Sequence, residues 1–83
     1  MIKIALRHNN KISILILNTI QLLGITYNIE DEVNSSRYYG SGWQYAGISL
    51  EDFNLLRLTL NDLYFAEQDT QENISLYVPY TRT

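Results

Sequence analysis

The sequence predicts an α+β domain with the element order strand, helix, strand, strand, helix, strand. Three observations lead to this prediction: an alternating apolar segment at residues 2–7, a helical apolar stripe that begins near Ser49, and a last alternating segment that ends near Pro79. A chain of 83 residues can bury one core and no second lobe. Residues 1–83 are therefore expected to form a single compact domain.

The first two elements come from residues 2–24. Residues 2–7 alternate apolar and polar side chains, which is typical of a strand with one buried face. Residues 11–23 fit two interpretations. Isoleucines at alternate positions favour a strand, whereas Asn10 as N-cap and Gly24 as the left-handed residue of a Schellman motif favour a helix. The helix is preferred, and the strand is retained as the alternative.

The remaining elements follow from alternation and capping. Residues 25–30 alternate and predict a second strand, and residues 38–48, rich in aromatics and glycine, predict a third that pairs back on it. Ser49 can cap a helix expected over residues 49–66. Its apolar stripe comprises Leu50, Phe53, Leu56, Leu60, Leu63 and Tyr64. The last strand is expected at residues 74–78.

This order is the ferredoxin-like βαββαβ pattern, in which two helices cover one face of a four-stranded antiparallel sheet. If residues 11–17 are a strand, the fold becomes a mostly β sheet with one long helix at residues 49–66. The predicted core comprises Ile4, Leu6, Ile25, Ile29, Ile74 and Val78.

The composition argues against catalysis. The chain has no cysteine and 1 histidine, which excludes thiol nucleophiles, thiolate zinc sites and imidazole metal clusters. His8 lies in a predicted turn with no carboxylate at a helpful spacing, and no catalytic triad can be assembled. We expect a protein that is not an enzyme and that uses no cofactor or metal.

Charge and hydropathy restrict the location and the partners. The apolar run at residues 12–17 is too short for a signal sequence or a membrane span, so a cytoplasmic protein without membrane contact is expected. The net charge is 6 − 9 = −3, which weakens the attraction to phosphates and argues against nucleic acid as a partner. The three cations among residues 1–24 could mark a basic contact face, but the preferred interpretation is that their side chains are simply solvated.

The segment of residues 37–45 predicts a partner-binding surface. It is rich in the residue types that dominate protein interfaces, which are separated by small serine and glycine residues. The candidate contact residues are Arg37, Tyr38, Tyr39, Trp43 and Tyr45. Four aromatic side chains on one strand cannot all point inward, so at least two are expected to be exposed.

A run of three acidic residues, Glu30, Asp31 and Glu32, precedes this segment. Adjacent carboxylates attract Mg²⁺ or Ca²⁺ in principle, but the EF-hand spacing is absent and successive strand residues point to opposite faces. A solvated acidic loop is therefore the preferred interpretation. The three residues are also assigned to the partner-binding surface.

In size, acidity, absence of cysteine and lack of catalytic groups, the chain is similar to the small inhibitors that phages and mobile elements encode against host defences, such as anti-CRISPR proteins. The resemblance implies steric occlusion of a protein or nucleoprotein complex, in the host cytoplasm if the chain is phage-encoded. The aromatic residues would then anchor in pockets of the target, and Glu30, Asp31 and Glu32 would mimic nucleic-acid phosphates. A homodimer formed through the aromatic strand is equally compatible with the sequence.

Two ligand-binding alternatives share the predicted topology. Arg37-Tyr38-Tyr39-Gly40 loosely resembles the third-strand motif of the RNA recognition motif, which implies stacking of rings on single-stranded nucleic acid. Residues 22–29 are similar to the corresponding part of small-molecule regulatory modules of the ACT type. A ferredoxin-like domain that binds single-stranded nucleic acid or a small ligand is thus the alternative to protein binding.

Overall fold

The computed structural model describes residues 1–31, 43–68 and 75–82. These residues form two helices and a five-stranded sheet. In chain order the elements are β1 (Ile2–Arg7), α1 (Lys11–Leu22), β2 (Asn28–Asp31), β3 (Trp43–Ile48), α2 (Leu50–Thr59), β4 (Leu63–Gln68) and β5 (Ser75–Thr81).

The sheet has the strand order β2-β3-β1-β5-β4, with β1 and β5 parallel and all other neighbours antiparallel. The α+β prediction and the pairing of β2 with β3 are confirmed. The predicted four-stranded antiparallel sheet is not matched, because residues 63–68 form an additional strand and β5 pairs with β1 in parallel. Among the described strands, β4 lies at one edge of the sheet and β2 at the other.

The helix expected over residues 49–66 ends at Thr59, which corrects its predicted C-terminal boundary. Ser49 caps its N-terminus as predicted, and the Ser49 hydroxyl accepts from the Asp52 amide at 3.1 Å. Asn61 and Asp62 form a turn, and Leu63–Gln68 then continues as a strand. Turn-forming side chains and the β-forming residues of this segment together override the helical spacing of its apolar side chains.

The helix at α1 is confirmed, together with both of its predicted caps. Asn10 accepts from the Ser13 amide at 3.1 Å. At the other end Gly24 has φ of 70°, and its amide donates to the Gln21 carbonyl. The Ile25 amide reaches back to the Ile20 carbonyl, which completes the Schellman pattern.

Pro79 marks the place where β5 separates from β1. The parallel register runs through Ile2↔Ser75, Lys3↔Leu76 and Ile4↔Tyr77 and is not continued beyond these pairs. Two residues after Tyr77, Pro79 has no N–H to donate, so the ladder cannot extend through it. Although Pro79 lies in an interior strand, it occupies a position where β5 is paired with β4 and no longer with β1.

The main core lies between the two helices and one face of the sheet. Ile16 and Ile20 of α1 and Phe53 and Leu56 of α2 are buried in the same apolar cluster. The sheet and the loop after α1 contribute Ile2, Ile4, Leu6, Ile25, Ala46, Ile48, Leu63 and Phe65.

Two of the predicted core residues, Ile29 and Val78, behave differently from the expectation. Ile29 is 41% exposed, because β2 is an edge strand. Val78 is buried on the opposite face of the sheet, in a smaller cluster with Ala5, Tyr45 and Leu76. Ile74 lies outside the described residues. Ile4, Leu6 and Ile25 are confirmed as core residues.

Candidate functional site

The predicted partner-binding surface is only partly within the described residues. Arg37, Tyr38, Tyr39 and Glu32 lie outside them. Trp43 begins β3, and Asp31 ends β2. The antiparallel register places Glu30 beside Tyr45 and Asp31 beside Gln44, so the sheet brings the acidic run and the aromatic strand together.

Tyr45 and Glu30 both make contacts within the chain. Tyr45 is only 9% exposed and packs with Ala5, Leu76 and Val78. Glu30 accepts from the Lys3 ammonium at 2.8 Å, in an ion pair that spans β3. In this structure Tyr45 is therefore a packing residue, and the charge of Glu30 is already paired.

A concave surface lies elsewhere, between α2 and the first half of β4. It is a groove of about 600 Å³. One wall comes from Asn54, Arg57 and Leu58 of α2, and the other from the first residues of β4. The full lining is Asn54, Arg57, Leu58, Asn61, Leu63, Tyr64, Phe65 and Arg82, and we call this surface the β4 groove.

The β4 groove borders a free sheet edge. The Arg82 amide donates to the Asp62 carbonyl at 3.1 Å, which fixes the alternation of hydrogen-bonded pairs between β4 and β5. In the register Tyr64↔Tyr80 and Ala66↔Val78, these residues direct their backbone groups towards β5. The amides and carbonyls of Leu63, Phe65 and Glu67 consequently point away from β5, where the sheet has no further strand.

Of these three edge residues, Leu63 differs from Phe65 and Glu67, because its outward backbone groups have hydrogen-bond partners. The Leu63 amide donates to the Leu60 carbonyl at 3.0 Å, and the Leu63 carbonyl accepts from the Arg82 Nε at 3.3 Å. No described strand pairs with the outer edge of Phe65 and Glu67. A partner strand would therefore find its backbone donors and acceptors at Phe65 and Glu67.

The side chains around the β4 groove combine apolar area with positive charge. Leu58 is 77% exposed and Tyr64 is 55% exposed. Arg57 stacks on the Phe53 ring, with 4.9 Å between its guanidinium carbon and the ring centre. One Nη of Arg57 also donates to Asn54 Oδ1 at 2.8 Å. The groove thus has exposed apolar side chains beside a guanidinium that the fold holds in place.

Sequence analysis missed the β4 groove because it assigned Leu63 and Tyr64 to the second helix. The signal that could have marked the strand is the turn-forming pair Asn61-Asp62 followed by the β-favouring residues Tyr64 and Phe65. Nothing in the sequence indicated that Arg57 and Arg82 line the same surface. They meet because β5 returns beside β4, which brings residue 82 next to the end of α2.

The described part of the chain contains no group of three or more potential metal-ligating side chains. Neither α1 nor α2 is long and apolar enough to cross a membrane. Comparison of the chain with protein-family models, with curated proteins and with solved structures found no match. The function is therefore argued from the geometry of the β4 groove alone.

Proposed function

We propose that this chain is a non-catalytic protein-binding domain that takes up an extended segment of another protein in the β4 groove. The observation that carries the proposal is an edge strand beside a groove with exposed apolar side chains. No strand among the described residues pairs with the outward backbone groups of Phe65 and Glu67. Addition of a strand to such an edge is a recurring mode of peptide recognition.

The edge of β4 has little of the protection that sheet edges usually carry. Proteins guard exposed edges with lysine, proline, bulges or very short strands. β4 has six residues and contains neither lysine nor proline, and its only charged side chain is Glu67. An edge of this kind pairs readily with another extended chain.

The apolar side chains supply the contact area that backbone hydrogen bonds alone do not give. Tyr64 and Leu58 border the groove from opposite walls and are largely exposed in the free protein. Tyrosine is enriched among residues that dominate binding energy, because its ring is large and its hydroxyl finds a polar partner. Burial of these side chains by a bound segment would add apolar contact area to the strand pairing.

The mechanism is binding without a chemical step. A domain that occupies a segment of its partner blocks whatever else that segment contacts, which is steric occlusion. Inhibition of a host-defence complex by a phage-encoded protein is a narrower form of the proposal, and its support is the size and composition of the chain alone. The partner-binding role of Arg37, Tyr38, Tyr39, Trp43, Tyr45 and the acidic run stays a separate prediction.

Selection from a display library of random short peptides tests the proposal, with Glu67→Pro as the diagnostic variant. The Glu67 amide points to the free edge, so proline there removes an outward donor without removing a bond to β5. Glu67→Gln is the matched control, because it removes the charge and keeps the amide. We expect selected peptides to bind the wild type and Glu67→Gln equally and Glu67→Pro about tenfold more weakly.

Thermal melts of all three proteins establish that each is folded before binding is compared. Enrichment of no peptide on the wild type, or equal binding to Glu67→Pro, contradicts strand addition at β4.

A further inference from the structure

We infer that the segment bound in the β4 groove carries a carboxylate side chain, which lies at the Leu63 end of β4 between Arg57 and Arg82. This inference rests on the proposed function and names the chemistry of its partner. The protein is acidic overall, with a net charge of −3, yet two of its arginines line one groove.

Neither arginine is neutralised within the part of the chain that the structure describes. No carboxylate of residues 1–31, 43–68 or 75–82 lies within ion-pairing distance of Arg57 or Arg82. Asp52, Asp62 and Glu67, the acidic residues nearest to the groove along the chain, do not line it. Among the described residues, the groove therefore presents two positive charges that have no carboxylate partner.

The fold also orients both guanidinium groups before anything binds. Arg57 is held by the Phe53 ring and by Asn54, and Arg82 is held through its Nε by the Leu63 carbonyl. Within the part of the chain that the structure describes, no contact engages the terminal nitrogens of Arg82. Side chains fixed in advance lose less conformational entropy on binding, and a planar guanidinium matches the geometry of a carboxylate.

The location of the arginines determines which end of the bound segment carries its acidic residue. Arg82 contacts Leu63 at the start of β4, whereas Glu67 lies near its other end. A carboxylate near Leu63 is attracted by both arginines, an attraction that Asp62 beside Leu63 reduces in part, and a carboxylate near Glu67 is repelled. The bound segment is thus expected to have one acidic end and a neutral or basic end.

The same argument favours an acidic peptide over nucleic acid. A polyanion that spans the groove would bring phosphates close to Asp62 and Glu67 as well as to the arginines, and phosphate attraction to this acidic protein is weak. A single carboxylate on an extended peptide uses both the arginines and the free backbone edge of Phe65 and Glu67. The peptide therefore fits more of the site.

The experiment selects peptides on the wild type and compares their affinity for the wild type with their affinity for Arg57→Gln and Arg82→Gln. Lys11→Gln is the matched control, because it removes one exposed positive charge from α1, outside the groove. We expect selected peptides to share a Glu or Asp at one end. They should bind each arginine variant about tenfold more weakly and Lys11→Gln without change, as measured by fluorescence anisotropy.

A peptide in which that acidic residue is replaced by its amide completes a double-mutant cycle between the peptide carboxylate and each arginine. We expect it to bind the wild type as weakly as the parent peptide binds the arginine variants, and to lose little more on those variants. Peptides that are enriched without an acidic preference and bind the arginine variants normally overturn the inference, while strand addition at β4 stands. Failure to enrich any peptide contradicts the proposed function itself.

Two further measurements decide whether something else occupies the groove. Light scattering after size exclusion tests self-association, since β2 of a second copy is also an edge strand and carries Glu30 and Asp31. Self-association that Arg82→Gln abolishes overturns the inference in favour of a second copy. Stronger competition by a single-stranded oligonucleotide than by the acidic peptide overturns it in favour of nucleic acid.

Discussion

The hydroxyl of Ser13 accepts a hydrogen bond from the backbone amide of Arg7, with 2.8 Å between oxygen and nitrogen. Arg7 is the last residue of β1, beyond the point where the β1–β5 ladder stops before Pro79. Ser13 lies in the first turn of α1 and is only 5% exposed. A helix side chain thus satisfies a backbone amide at the end of the central strand.

Ser13→Ala is expected to lower the free energy of unfolding by about 0.5–1.5 kcal/mol, because it removes the part-buried hydrogen bond between the Ser13 hydroxyl and the Arg7 amide. Thr59→Ala is the control, since it also removes a hydroxyl that is hydrogen-bonded to the backbone. The Thr59 hydroxyl donates to the Leu55 carbonyl at an exposed helix end. That change should stay within about 0.5 kcal/mol. Urea denaturation followed by circular dichroism measures both, and equal losses in the two variants would contradict the role of Ser13.

Gly24→Ala is expected to destabilise the protein by about 1 kcal/mol through the backbone alone. Gly24 has φ of 70°, and a Cβ there meets nothing within 4 Å. The cost therefore comes from the left-handed conformation and not from a clash. For a domain of this size we expect a melting temperature lower by about 4–8 °C. Gly24→Asn should lose less, because asparagine tolerates this conformation, and an equal or larger loss would argue against the explanation.

Phe53→Leu is expected to cost about 1–3 kcal/mol, because the Phe53 ring makes two aromatic contacts in the core. Its centre lies 5.5 Å from the Phe65 ring and 4.5 Å from the Tyr77 ring. Leu55→Ala on the exposed side of the same helix is the control and should cost clearly less. Chemical denaturation measures both variants. A loss for Phe53→Leu no greater than for Leu55→Ala would mean that the ring contacts contribute little.

The Lys3–Glu30 ion pair is expected to contribute only about 0.2–1 kcal/mol, since both side chains are partly exposed to solvent. A double-mutant cycle with Lys3→Met and Glu30→Gln measures the coupling directly. The coupling should decrease in about 1 M salt, where charges are screened over roughly 3 Å. A coupling that does not change with salt would indicate that the two side chains interact through packing.

Local signals in the sequence were sufficient to predict the helix ends that have a capping residue. Asn10, Gly24 and Ser49 were each predicted as caps, and each acts as one in the structure. Caps are predictable because their donors and acceptors lie within a few residues of one another. The boundary between α2 and β4 was not predictable in this way, since Leu63 fits both a helical and an alternating apolar pattern.

The sequence by itself determined the α+β class, the first three strands in their approximate places, both helices and most of their caps. Only the tertiary structure decided that β5 lies between β1 and β4, that β4 is an edge, and that Arg57 and Arg82 line one groove. The physical reason is the range of the interactions. Capping and periodicity act over a few residues, whereas strand order depends on which distant segments bury their apolar faces together.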